Sequence, residues 1–291
     1  MLAVVELPGN LVDATWLRSN IGAPRLVVAD VRWHPDGDGR GAYEAGHLPG
    51  AVFLDAEVDL AARPFIDGPG RHPLPSPASF ASTMRAAGIG DDDAVIAYDD
   101  AGGSHAARLW WMLRAIGHPC AILDGGLNAW EGELETGVVR RERASFTPRE
   151  WPSDRIADAE RVADELRAGS AVVLDARAAE RYRGEAEPID PVAGHIPGAA
   201  SAPWADNLDP TTGRFRRPDE LRRRFEAIGV REGGDPIVYC GSGLTATHDL
   251  LAIEVAGLGR GRLYEGSWSG WIDDPERAVA TGPPKERPSP G

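Results

Sequence analysis

Gly194-His195-Ile196-Pro197-Gly198-Ala199 follows the apolar run Val172-Val173-Leu174-Asp175. The pair has already occurred once, as Val27-Val28-Ala29-Asp30 followed by Gly46-His47-Leu48-Pro49-Gly50-Ala51. A chain that spells the same strand and the same turn twice has used one supersecondary plan twice. Two more pairs extend the match. Ala94-Val95-Ile96-Ala97-Tyr98 answers Pro236-Ile237-Val238-Tyr239, and Leu123-Asp124-Gly125-Gly126-Leu127-Asn128-Ala129-Trp130 answers Tyr264-Glu265-Gly266-Ser267-Trp268-Ser269-Gly270-Trp271. These last two share one offset, 141 residues, from 98 to 239 and from 130 to 271. Stretches of helical period alternate with the short apolar runs, at 77–87, 106–116, 158–168, 219–228 and 247–255. This alternation predicts an α/β fold in which each half is a mainly parallel sheet flanked by helices.

The repeat sets the domain boundaries: a first domain over 1–139, a linker over 140–155, a second domain over 156–282 and a tail over 283–291. The linker is charged, proline-bearing and aperiodic, and the proline-rich end of the chain reads as disorder or a surface strap. At 291 residues with 42% hydrophobic and 26% charged content, the chain has material for two cores. A net charge of -14 excludes the Lys and Arg excess by which nucleic acids and anionic membranes are usually bound. Two cysteines, Cys120 and Cys240, are too few for a disulfide framework or a cysteine zinc site. With no basic leader at Met1–Pro8 and no membrane-length apolar run, a cytoplasmic location is expected.

Chemistry concentrates in Cys240-Gly241-Ser242-Gly243-Leu244-Thr245-Ala246, which follows a strand and precedes a helix. Small residues let the backbone N–H groups turn inward, and a helix N-terminus behind them favours an anion. A cysteine so placed ionises more readily than a free one, and the thiolate is the reactive form. The alternative is a buried structural cysteine followed by a turn; two glycines and two hydroxyl residues in five positions favour the thiolate loop. The same offset of 141 maps Cys240 onto Asp99, within Tyr98-Asp99-Asp100-Ala101-Gly102-Gly103-Ser104. The first half cannot do thiol chemistry, and its expected task is to wall a cleft between the domains.

The tandem plan, the paired Gly-His-Ile/Leu-Pro-Gly-Ala segments and the cysteine loop resemble the two-domain sulfurtransferases of the rhodanese superfamily, nearest to the 3-mercaptopyruvate branch. The resemblance spans about Val4 to Thr281. It implies two rhodanese folds, an inactive first copy and a persulfide on Cys240, with no cofactor and no metal. It implies a small sulfur donor, 3-mercaptopyruvate or thiosulfate, and as acceptor a thioredoxin-like protein, a small thiol or cyanide. Residues 241 to 245, including Gly241, Gly243, Leu244 and Thr245, carry no charge, which resembles the mercaptopyruvate branch. In that branch a loop serine, a first-domain histidine and an aspartate manage a proton; the matching residues are Ser242, His47 and either Asp38 or Asp36. His47 is alternatively a structural residue of its turn, like its counterpart His195. The family's Arg-Phe-x-Gly element matches Arg181-Tyr182-Arg183-Gly184, which makes Arg181 the carboxylate anchor, while Arg177 and Arg183 are expected in ion pairs. A second substrate arginine is typical nine residues on, where this chain has Asp190. Another cation must serve there, or the donor differs.

Two rival functions have sequence tests. A cysteine phosphatase or arsenate reductase needs an arginine closing the loop, where Ala246 stands. A non-catalytic module of the same fold would not need the intact cysteine loop. The nine tryptophans are expected mainly in the core, with Trp33 and Trp268 as candidates to line the cleft. Cys120 is expected buried and inert, and His105, His118 and His248 lack metal-ligand spacing.

Overall fold

The computed structural model describes residues 5–34 and 37–283. Two sheets of the same design account for the repeat. The first half runs β1 (Leu11–Val12), α1 (Ala14–Asn20), β2 (Leu26–Asp30), α2 (Gly39–Ala45), β3 (Val52–Phe53), α3 (Pro77–Ala86), β4 (Ala94–Tyr98), α4 (Ala106–Ala115) and β5 (Cys120–Leu123). The second runs β6 (Ile156–Ala157), α5 (Ala159–Ala168), β7 (Val173–Asp175), α6 (Ala179–Arg183), β8 (Ala200–Ser201), α7 (Pro218–Ala227), β9 (Ile237–Tyr239), α8 (Ala246–Val255), β10 (Arg262–Tyr264) and α9 (Ser267–Trp271). The sheet orders are β1-β5-β4-β2-β3 and β6-β10-β9-β7-β8, so the second repeats the first. Every pairing within them is parallel.

The local sequence explains the elements. Leu26–Ala29 and Ala94–Tyr98 are apolar and buried on both faces, as strands covered by helices must be, and Asp30 at the end of β2 is buried against Arg32. Ser76 caps α3 through Ser79 N–H with proline in the first turn, and α5 is framed by Asp158 at its start and a left-handed Gly169 at its end. No helix among the described residues is long and apolar enough to cross a membrane.

The halves share a core in which Trp110 and Trp111 of α4 join Leu250 and Ile253 of α8. Where α4 and α8 meet, each half reaches the loop of the other. Arg108 of α4 donates to the Gly243 carbonyl at 3.0 Å, and the His248 ring of α8 meets the Gly102 carbonyl at 3.1 Å. Positions 102 and 243 are equivalent by the offset of 141, so the contacts form an approximate two-fold exchange.

Residues 140–152 form no helix or strand. They lie along the first half, with Phe146 buried, Thr147 bonded to Asp91 and the Trp151 indole donating to the Pro75 carbonyl. The tail expected over 283–291 lies outside the described residues beyond Pro283, as does Asp36.

Candidate active site

Cys240 stands at the end of β9 and is 2% exposed. Its N–H donates to Ser267 Oγ at 3.1 Å, and its carbonyl accepts Trp268 N–H at 2.9 Å. The next carbonyl, Gly241, accepts Ser269 N–H at 3.0 Å, so the start of α9 clamps the loop. Gly243 then turns back through φ +87, and its N–H points at Cys240 Sγ, 3.1 Å away. Glycine is required here, since a Cβ would meet the Glu265 carbonyl at 2.7 Å. Ser242 is buried, and its hydroxyl makes no hydrogen bond among the described residues. Leu244 is also buried, its carbonyl accepts Thr247 Oγ1, and α8 begins one residue after Thr245.

The loop carries no charge of its own, and three arginines from other segments surround it. Arg108 is fully buried and donates to the carbonyls of Leu60, His72 and Gly243. Burial lowers its pKa to about 10, opposed chiefly by the nearby Glu265 carboxylate, so it stays cationic at neutral pH. Among the described residues no carboxylate lies in ion-pair contact with it. Arg181 and Arg71 lie on the other side, over Gly241. A Cβ on Gly241 would stand 3.1 Å from Arg71 Nη2 and 3.5 Å from both terminal nitrogens of Arg181. Arg181 also bonds Glu187 and Asp190, at 2.7 and 3.0 Å. Arg71 pairs with the other oxygen of Asp190.

The matching loop of the first half has its interior filled. Asp99 is fully buried; its Oδ1 accepts the N–H groups of Ala101 and Gly103 at 2.9 and 2.7 Å, and its Oδ2 those of His105 and Ala106 at 2.9 and 3.0 Å. The first-half loop thus closes as an anion cradle around a fixed carboxylate, where the second half sets the Gly243 N–H on a thiol.

The structure brings Cys240, Gly241, Ser242, Gly243, Leu244, Thr245 and Arg181 together. It places His47 and Asp38 in other contacts. The His47 ring is buried, stacked on Tyr43 with centroids 4.1 Å apart, and Nδ1 is 2.8 Å from the Tyr43 carbonyl. His195 repeats this arrangement on Tyr182, at 3.7 and 2.7 Å. Asp38 accepts Gly41 N–H as the cap of α2. Arg177 is paired with Asp175 and Glu187, and Arg183 with Glu185. Trp268 is fully buried with its indole on the Val192 carbonyl, and Trp33 stacks on His105. Burial pushes the Cys120 thiol far up, which leaves it unreactive. Among the described residues no cluster of His, Cys, Asp or Glu could hold a metal ion.

Arg71, Arg108 and Ser267 were not singled out by the sequence. Ser267 carried a signal, for its counterpart at the same offset is Gly126 with φ +56, and Ser267 adopts φ +51 without being glycine. Arg108 was legible as a charge inside the apolar run of α4.

The rhodanese-like domain profile matches residues 13–133 and 158–274. The chain is 44% identical over 281 residues to a probable 3-mercaptopyruvate sulfurtransferase of Pseudomonas aeruginosa, covering 94% of this chain and 98% of that one. It is 43% identical over 281 residues to a putative thiosulfate sulfurtransferase, SseB, of Mycobacterium tuberculosis, covering 94% and 97%. The crystal structure of SseA from Escherichia coli, one of the 3-mercaptopyruvate sulfotransferases, superposes with a TM-score of 0.79 at 34% identity, covering 89% of this chain and 99% of that one. With both halves matched, the chain belongs to the rhodanese superfamily as a sulfurtransferase of two tandem rhodanese domains.

Proposed function

We propose that the chain takes sulfur from 3-mercaptopyruvate onto Cys240 and passes it to a thiol or to cyanide. The observation that carries this reading is the separation of charge from sulfur chemistry: Arg181 lies over Gly241, while loop positions 241–245 hold no charged side chain. In 3-mercaptopyruvate the carboxylate is remote from the thiol, so a cation beside the loop can grip one end while Cys240 works on the other. In thiosulfate the charged oxygens sit on the atom bonded to the transferable sulfur, and a matching cation belongs inside the loop.

Cys240 thiolate attacks the donor sulfur; the new S–S bond forms as the C–S bond breaks, and its electron pair leaves on carbon as pyruvate enolate. The enolate takes up a proton to become pyruvate, and the persulfide gives one up. An acceptor thiolate then attacks the outer sulfur and restores Cys240 thiolate. Gly243 N–H, the α8 N-terminus and the buried Arg108 cation favour sulfur anions at this place. We assign proton handling to the Ser242 hydroxyl, buried in the loop. His47 we read as the support of its turn, since His195 makes the same stack and the same carbonyl contact in the other half. Asp38 we read as a helix cap. Unpaired Cys120 and Cys240 suit a reducing cytoplasmic setting.

The test is steady-state turnover with each donor. 3-Mercaptopyruvate is expected to exceed thiosulfate in kcat/KM, and Arg181→Ala to raise KM for it by the equivalent of about 1.5–3 kcal/mol of charge-assisted hydrogen bonding. Equal or better turnover of thiosulfate would overturn the donor and spare the persulfide.

A further inference from the structure

We infer that a cleft at the edge of the first sheet is a second ligand site, for a small organic oxyanion with a phosphate or carboxylate head on an apolar body. The inference is independent of the sulfur donor. β3 is the outer strand of the first sheet, and α2, α3 and the segment leaving the first domain close around it. They leave a cleft of about 470 Å³, the size of a small-molecule site. The segment is fastened on both sides of this cleft. Val139 N–H donates to the Tyr43 hydroxyl at 3.1 Å, and Arg141 Nε to the Gly88 carbonyl at 3.3 Å.

Charge decides what the cleft would take. Arg40 enters its lining from α2, and Arg140 and Arg141 enter from the connecting segment. Among the described residues none of these three arginines forms an ion pair, in a chain whose net charge is -14. Arg40 lays its guanidinium over the Phe53 ring, 4.9 Å from the centroid. A guanidinium held by its face keeps its N–H edge for a ligand. Arg141 spends only Nε on Gly88, which leaves its terminal nitrogens. The one carboxylate in the lining is Asp59, and one of its oxygens already accepts Asp55 N–H at 2.9 Å. Three cations against one carboxylate favour an anion. Val52, Phe53 and Val138 add an apolar wall, and a bare inorganic ion would leave that wall uncovered.

The repeat does not require this arrangement. Phe53 lies opposite Asp30 in the first sheet, and in the second sheet Ser201 holds that register opposite Asp175. Arg40 stands three residues before Tyr43, where Ala179 stands three before Tyr182. Both tyrosines stack on the histidine of their turn, so the scaffold is the same and the cation on its aromatic ring belongs to the first half alone.

The test separates head, body and place. Phenyl phosphate, inorganic phosphate and phenol are each titrated at fixed ionic strength into wild type, Arg40→Gln, Arg141→Gln and the double variant Arg40→Gln/Arg141→Gln. Amide NMR shifts of Phe53 and Thr83 read the cleft, those of Gly241 and Gly243 read the cysteine loop, and thermal melting checks that each variant is folded. Phenyl phosphate is expected to move the Phe53 and Thr83 amides of wild type, with affinity about tenfold weaker in each single variant and about a hundredfold weaker in the double variant. No shift at Phe53 and Thr83, shifts confined to Gly241 and Gly243, or wild-type affinity in the folded double variant would each overturn the site. Inorganic phosphate or phenol binding there as tightly as phenyl phosphate would overturn the pairing of a charged head with an apolar body.

Discussion

Ser267 holds the Cys240 N–H on its hydroxyl at 3.1 Å while its own backbone sits at φ +51, a region that non-glycine residues rarely occupy. The hydroxyl also donates to the Tyr264 carbonyl, so the strained turn is tied on both sides. At the equivalent place in the first half stands glycine, where no thiol needs fixing. Left-handed backbone costs a side-chain-bearing residue about 1–2 kcal/mol. Ser267→Ala keeps that cost and leaves a buried N–H unpaired, for an expected loss of about 1–3 kcal/mol of stability. Ser267→Gly relieves the strain and should come out nearer wild type in a denaturant melt. Both should lower kcat, because the nucleophile loses its anchor; a Gly variant with full kcat would show that the hydroxyl only stabilises the turn.

Cys240 is expected to gain the mass of one sulfur atom on incubation with a donor, and Cys120 to gain nothing, since burial keeps its thiol protonated. Cys240→Ser should abolish turnover with either donor. Intact-mass and peptide mass spectrometry read this directly, and sulfur found on Cys120 would contradict it.

Arg108 is a buried cation whose hydrogen bonds go to three carbonyls, one of them in the cysteine loop. Arg108→Met should remove the positive charge behind Cys240 and free the Gly243 carbonyl. We expect a fall in kcat/KM of about ten- to a hundredfold, equivalent to about 1.4–2.8 kcal/mol, together with slower alkylation of Cys240 by iodoacetamide at pH 7. Arg108→Lys should retain part of the alkylation rate because it keeps the charge. Equal alkylation of all three proteins would exclude an electrostatic role.

Asp249 gives stability a pH dependence. Burial pushes its carboxyl up to about 7, opposed by Arg224 and by the Asn207 amide, which donates to Oδ1 at 2.6 Å. Its other oxygen has no hydrogen-bond partner among the described residues. A folded pKa above the unfolded one means that the folded state holds the proton more tightly, so stability falls as pH rises from about 4 to about 7 and is then level. The full shift is worth up to about 4 kcal/mol. Asp249→Asn should therefore melt higher than wild type at pH 8 and close to it near pH 4.5. An equal gap at both values would place the effect elsewhere.

The sheets and helices were legible because each local signal agreed with the repeat. Apolar runs such as Val27-Val28-Ala29 read as strands buried on both faces, and the helical stretches began at Ser76-Pro77 and Asp158, where caps are written in side chains. The cysteine loop was legible for the same reason, being short and contiguous. The cations were not. Arg71 sits in the aperiodic run Gly68-Pro69-Gly70-Arg71-His72-Pro73, and what directs it is its contact with Asp190, far along the chain. Asp190 read as a missing cation, because a sequence names the charge at a position and not the partner brought to it. His47 posed the opposite difficulty: a family motif pointed to a proton relay, while the ring makes the same stack and carbonyl contact as its duplicate His195.

The Asp99 loop has a consequence for the sulfur-bearing half. In aspartate the carboxylate oxygens lie three bonds from Cα, and in a cysteine persulfide the outer sulfur lies three bonds from Cα as well. In the first half four N–H groups close on an occupant of that reach, while in the second half Gly243 N–H meets Cys240 Sγ and the loop reaches α8 in six residues where the first half takes seven to α4. The two loops also part at one backbone position, for Gly103 takes φ +89 where its counterpart Leu244 is not left-handed. A sulfur of that reach on Cys240 therefore meets a loop related to the Asp99 loop in plan and not in every bond.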